Sequence, residues 1–224
     1  MIKFVGFDKD GTLLDSMKFY IKEWGQIINA DFDIDPKDAE KIFIDLLGQP
    51  TVLQLKSLLE KNDIKLSQDE LFEKANEIAR KLGERSKAKP FAEIKGVLKK
   101  LKQQGYKIFV SSGQQESVVK KDLQRTGLIK YIDFIVGIRP NKPGFKKGEL
   151  HFRAVAKHFG VQFDKFKTQA VFIGDAPADI EISKESGITS IVRKSSISQK
   201  IMLDKGAKAV LKNFDILPKL LLSL

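Results

Sequence analysis

The chain contains no cysteine. That absence removes disulfide frameworks, thiolate-bound zinc, iron–sulfur clusters and cysteine nucleophiles. Only 2 of its 224 residues are histidine, too few for a histidine-rich metal centre and a thin basis for a Ser-His-Asp triad. Nowhere do eighteen apolar residues run together, so no stretch has the make-up of a membrane-spanning helix. The apolar run at 2–7 is interrupted by Lys3 and is too short for a signal peptide, so a soluble, cytoplasmic protein without a membrane partner is expected. Repeats, low-complexity tracts and Gly/Ser linkers are lacking as well.

What is present is a globular composition, 42% apolar and 31% charged, with a net charge of +11. Residues 16–89 hold 13 Lys+Arg against 14 Asp+Glu, a net of −1, and the remainder holds 27 against 15, a net of +12. The positive charge therefore belongs to one part of the chain. It invites a nucleic-acid reading, but clusters such as Lys99-Lys100 and Lys120-Lys121 lack the interleaved aromatics or module that such a site requires.

Ile2-Lys3-Phe4-Val5-Gly6-Phe7 reads as a buried strand that stops at Asp8. From Ser16 to Ala88 every signal is helical: Asp35-Pro36 is an N-cap with proline at N1, Gly48-Gln49-Pro50 is a break, and Ser67 with Glu70 is a capping box. After Pro90 short strands at 107–110, 134–136, 170–173, 190–192 and 209–211 alternate with helices near 94–104, 115–126, 148–159, 178–186 and 198–205. Alternation of this kind predicts an α/β fold, a doubly wound parallel sheet with a small helical domain inserted after the first strand. The expected domains are 1–15 with 90–224, and 16–89. Ligands of such sheets sit at the carboxyl ends of the strands, where this chain carries Asp8, Ser111 and Asp175.

Two carboxylates one residue apart, in Asp8-Lys9-Asp10-Gly11-Thr12, can both face a pocket because the chain turns at Gly11. One carboxylate can attack phosphorus and the other can protonate the leaving oxygen and then activate water. Acids crowded around a phosphate require a cation, and oxygen donors without Cys or His favour Mg²⁺, with Asp175 as a further ligand. Ser111 offers a hydroxyl, and backbone N–H groups of Ser112 and Gly113 can hold phosphate oxygens at a helix N-terminus. A lysine near the start of the 148–159 helix would neutralise the transferring group.

These residues, in this order, resemble the haloacid dehalogenase superfamily: Asp8-Lys9-Asp10-Gly11-Thr12, Ser111 after a strand, a lysine, and Gly174-Asp175-Ala176-Pro177-Ala178-Asp179. The segment Asp10-Gly11-Thr12-Leu13-Leu14-Asp15-Ser16 with its helical insertion looks like the phosphoglycolate-phosphatase-like branch, whose helical cap closes over the site. The resemblance implies Asp8 as nucleophile and Asp10 as general acid/base. It also implies Mg²⁺ on the carboxylates of Asp8 and Asp175 and the backbone carbonyl of Asp10, with Asp179 holding metal-bound water or the lysine. An acid at position 10 points to phosphate esters, because the dehalogenases of the family lack one. For the lysine, Lys142-Pro143 imitates a family pattern but lies far from Asp175. Lys147-Gly148-Glu149-Leu150, followed by a helix ending near Gly160-Val161, looks like the corresponding stretch of phosphoserine-phosphatase-like members, which implies Lys147, with Lys146 as its nearest competitor.

The implied function is a Mg²⁺-dependent phosphatase of a small phosphorylated metabolite, phosphoglycolate among the candidates, acting as monomer or homodimer. The rival readings are a phosphosugar mutase of the β-phosphoglucomutase type, a phosphonate hydrolase drawing on Lys18 or Lys22, and a nucleic-acid-binding protein on the same fold. Plainer readings stand beside the functional ones: Ser111 as a helix N-cap, Asp179 as a first-turn helix carboxylate, His151 and His158 as surface or packing residues. Phe19, Tyr20 and Trp24 read as packing within the helical insertion, and Gln49 as a substrate contact on its mid-turn.

Overall fold

Phe4–Phe7 form β1, four residues buried on both faces, as expected of a central strand of a parallel sheet. The computed structural model describes residues 1–139, 142 and 144–224. They divide into two compact units, Met1–Asp15 with Lys89–Leu224, and Ser16–Ala88. Lys89, grouped with the helical insertion on sequence, falls in the α/β unit. Where the chain departs and returns, the Asp15 N–H donates to the Lys89 carbonyl at 2.9 Å, the Phe91 N–H donates to that of Leu13 at 3.2 Å, and Leu14 bridges to Pro90 in antiparallel fashion.

The helical unit contains α1 (Met17–Phe32), α2 (Pro36–Asp45), α3 (Thr51–Lys61) and α4 (Gln68–Arg85). Asp35 caps α2, accepting from the Lys37 N–H at 2.8 Å. Ser67 and Glu70 form a complete capping box on α4. Trp24 is fully buried within this unit, against Phe43, with its indole N–H donating to the Ala39 carbonyl. Tyr20 is buried, Phe19 and Gln49 are half-buried, and Lys18 and Lys22 are exposed.

In the α/β unit α5 (Ile94–Gln103) leads to β2 (Lys107–Gln115), α6 (Glu116–Arg125), β3 (Phe134–Ile138), α7 (Glu149–His158), α8 (Phe163–Gln169), β4 (Ala170–Gly174), α9 (Pro177–Glu185), β5 (Thr189–Arg193), α10 (Gln199–Asp204), β6 (Ala209–Leu211) and α11 (Leu217–Leu220). The six strands form one parallel sheet in the order β3-β2-β1-β4-β5-β6, the doubly wound arrangement expected. Phe4, Phe109, Phe152, Phe166 and Phe172 pack together in one of its cores. Among the described residues no helix is long and apolar enough to cross a membrane.

Two elements differ from the sequence reading. Helix α8 occupies a stretch to which periodicity assigned nothing, because seven residues give too short a run to show a helical period. Strand β2 does not stop before Ser111 but continues to Gln115 with a shift of register against β3. Gly137 of β3 accommodates that bulge: a Cβ there would lie 2.5 Å from the Gln114 carbonyl oxygen.

Candidate active site

Strand register brings the candidate residues to one edge of the sheet. Phe7 of β1 lies opposite Val110 of β2 and Ile173 of β4, so the next residues along are Asp8, Ser111 and Gly174, with Asp175 one step further. Asp8 is anchored by its own N–H, which donates to the Ile173 carbonyl at 2.7 Å. The chain then folds into a tight turn in which the Lys9 carbonyl accepts from the N–H groups of Leu13 and Leu14. Gly11 makes the turn at φ +76°, and a Cβ at this position would fall 2.2 Å from Asp175 Oδ2. Thr12 Oγ1, fully buried, donates a long 3.4 Å hydrogen bond to Asp175 Oδ1.

Of the three candidate lysines, Lys147 is the one drawn inward; Lys146 and Lys142 are exposed. Pro143, the partner of Lys142 in the alternative motif, lies outside the described residues. Lys147 precedes Gly148, the N-cap of α7, and its amine donates to Asp8 Oδ1 and to Asp179 Oδ1, both at 2.6 Å. Burial alone would lower this amine's pKa, but the charges of Asp179 and Asp8 outweigh it and raise it. Asp179 has two tasks. Its Oδ2 accepts from the N–H groups of Asp175 and Ala176 at 3.1 Å, capping α9, while Oδ1 holds the lysine. The helix-carboxylate reading and the lysine-holding reading of Asp179 therefore both describe it.

The carboxylates crowd one another. Asp8 is pushed up to about 7 by burial, with the charges of Asp179 and Asp10 adding to the rise and Lys147 opposing it. Asp175 is raised well above the carboxylate range by burial and then by the charges of Asp179 and Asp8. Two carboxylates whose ionised forms are disfavoured by burial and by neighbouring acids make a donor set that a hard divalent cation would relieve. Among the described residues no group of three or more His, Asp or Glu side chains converges as a ready metal site. Asp8 and Asp175 are buried oxygen donors, a chemistry that fits a hard divalent cation.

Ser111 is fully buried, with Oγ 2.9 Å from His151 Nδ1. His151 was expected to be a surface or packing residue. It is a packed, fully buried residue beside Phe145, with Nε2 lacking a hydrogen-bond partner among the described residues, and is pushed down to about 4 by burial and by the charges of Lys147 and Arg139. His158, seven residues on, is exposed and stacked on Phe134. Ser112 is buried, its Oγ accepting from the Gln114 N–H at 3.2 Å, while Gly113 is exposed with open space where a Cβ would stand. Because β2 continues through this stretch, α6 begins at Glu116, and the helix N-terminus is five residues from Ser111 rather than beside it. Any phosphate held here would meet the bulged strand, not a helix end.

Sequence reasoning also passed over Lys9. Its side chain is fully buried, with Nζ 2.8 Å from Gln114 Oε1, 2.5 Å from Asp122 Oδ2 and 3.2 Å from Asp10 Oδ2. The position between the two aspartates was the only available signal, and it does not reveal a partner 113 residues away.

The sequence matches the family description Haloacid dehalogenase-like hydrolase over residues 5–193. It is 30% identical over 184 residues to a phosphoglycolate phosphatase of Aquifex aeolicus, covering 81% of this chain and 79% of that one. It is 28% identical over 187 residues to a Clostridium perfringens protein named "Putative pyrophosphatase PpaX", covering 84% and 81%. Among solved structures, that of "a predicted phosphatase from Clostridium acetobutylicum" aligns over 100% of both chains with a TM-score of 0.82 at 24% identity, a likeness of fold.

Proposed function

This chain belongs to the haloacid dehalogenase-like hydrolases, and from that premise we propose that it is a Mg²⁺-dependent phosphatase of small phosphomonoesters working through an aspartyl-phosphate on Asp8. The observation that carries this reading is the Lys147 amine shared between Asp8 and Asp179 at the end of the strand that delivers Asp8. One oxygen of the Asp8 carboxylate is the nucleophile. That oxygen forms a bond to phosphorus as the bond from phosphorus to the leaving oxygen breaks, and Asp10 gives that oxygen its proton. Asp10 then takes a proton from the water that attacks the aspartyl-phosphate, releasing inorganic phosphate and restoring Asp8. Lys147 and the Ser111 hydroxyl bind phosphoryl oxygens through the cycle. With Nδ1 as the protonated nitrogen, neutral His151 donates to Ser111 Oγ and leaves the serine's own hydrogen for the phosphate.

What Mg²⁺ supplies when bound by Asp8, Asp175 and the Asp10 carbonyl is positive charge that favours ionised carboxylates and offsets the charge of the phosphate. The basic α/β unit is assigned the attraction of anionic substrates.

Phosphoglycolate and inorganic pyrophosphate are the first substrates to test, because relatives bear those names. With Mg²⁺ present, phosphate release should match substrate consumed in a time course. Isomerised product without free phosphate would replace this reading with a mutase, and no turnover across a panel of phosphorylated metabolites would overturn it.

A further inference from the structure

A lysine with no exposed surface is costly to fold around, since an ammonium taken out of water must be repaid by close partners. Replacing such a buried pair by apolar groups is often neutral or stabilising, so stability alone does not call for a charge at position 9. Lys9 stands between the two aspartates of the turn, and its main chain is pinned there by Leu13 and Leu14. Its amine spans from Asp10 Oδ2 at 3.2 Å to Asp122 Oδ2 at 2.5 Å on α6 and Gln114 Oε1 at 2.8 Å on the bulged end of β2. Asp122 is itself held by Arg125 at 2.9 Å, so the far end of the bridge is fixed. Asp10 thus has one carboxylate oxygen tethered, through a buried cation, to the segment that also carries Ser111.

We propose that Lys9 is a positioning residue, a buried tether that holds the Asp10 carboxylate in one orientation relative to the Ser111 segment so that it can deliver its proton to the leaving oxygen. This rests on the phosphatase reading and assigns the role of one further residue within it.

A group that orients the acid matters most when the leaving group needs a proton. Lys9→Met removes the charge at similar bulk and leaves Asp122 paired with Arg125. At saturating Mg²⁺ its kcat/KM for glycerol phosphate, whose leaving alkoxide must be protonated, should fall about 100-fold, and that for p-nitrophenyl phosphate, which releases a stable phenolate, by less than about threefold. Because Asp10 also serves the hydrolysis of the aspartyl-phosphate that both esters share, kcat/KM, set by the step that expels the leaving group, carries the comparison. Equal losses on the two esters would mark a merely structural lysine, and no loss would mark an idle one; either overturns the proposal. Should Lys9→Met lack a cooperative thermal transition, Asp122→Asn loosens the same tether at constant size. It should show a smaller loss with the same bias toward the alkyl ester, and a uniform loss would again overturn the role. Wild-type turnover of both esters is measured first. Absence of wild-type turnover on these esters and across the whole panel of phosphorylated metabolites would sink the phosphatase reading and Lys9 with it, whereas normal wild-type turnover with an unbiased variant would sink the tether alone.

Discussion

In the helical unit Glu77 lies between Lys81 at 2.7 Å and Lys74 at 3.0 Å, on the surface of α4, and these hydrogen bonds push its carboxyl down to about 2. In the α/β unit Asp8 also touches a lysine, at 2.6 Å, yet its carboxyl is pushed up to about 7. The contact is the same; the surroundings differ. Water screens the surface cluster and each charge there has room for an opposite partner. At the strand ends burial removes water, and Asp8, Asp10, Asp175 and Asp179 share too little positive charge. One region satisfies its charges, and the other keeps them under tension at a place where a cation and a phosphate would relieve it.

The largest effect that could break this contrast is on turnover. Asp8→Asn removes the nucleophile at constant size, so kcat should fall by about 1,000-fold or more with an unchanged far-UV spectrum. An active variant would end the aspartyl-phosphate reading.

A smaller effect concerns stability without metal. Asp8 titrates near 3.8 in the ordinary range and near 7 in the fold, so the folded chain holds this proton more tightly. The stability this gives is complete below about pH 4 and is lost as pH rises through about 7, and Asp175 acts in the same direction. In EDTA, Asp8→Asn should therefore gain on the wild type from pH 4 to 8, reaching a Tm advantage of about 4 °C or more. Added Mg²⁺ should stabilise the wild type and narrow the gap. A gap independent of pH would remove the electrostatic tension.

The smallest effect belongs to the surface cluster. Glu77→Gln should leave kcat/KM unchanged and move Tm by no more than about 2 °C, read by thermal melts.

The sequence made the sheet and its active edge legible because both rest on local signals: short apolar runs that end in Asp8, Ser111 and Asp175, and turn chemistry at Gly11. Lys142 can be set aside by its distance from Asp175 in sequence, whereas Lys147 is preferred over Lys146 only through the likeness of its stretch to phosphoserine-phosphatase-like members. What stayed hidden depends on contacts between distant segments. The bulged end of β2 depends on Gly137 of a neighbouring strand, and the enclosure of His151 depends on Ser111, 40 residues earlier. Lys9 is the sharpest case, because a lysine flanked by aspartates reads as a solvated charge until α6 is folded over it.

The stem at Asp15 and Lys89 has a consequence of another kind. Because the outgoing and returning chains are joined by a backbone hydrogen bond, whatever is carried between them begins and ends at neighbouring points. The entropy of closing that gap grows only slowly with the length inserted, by about 0.6 kcal/mol per doubling. The sheet therefore tolerates inserts of different length at the Asp15 and Lys89 stem at small entropic cost. Diversification of such a chain can proceed by replacing the insert while the strand ends keep their chemistry.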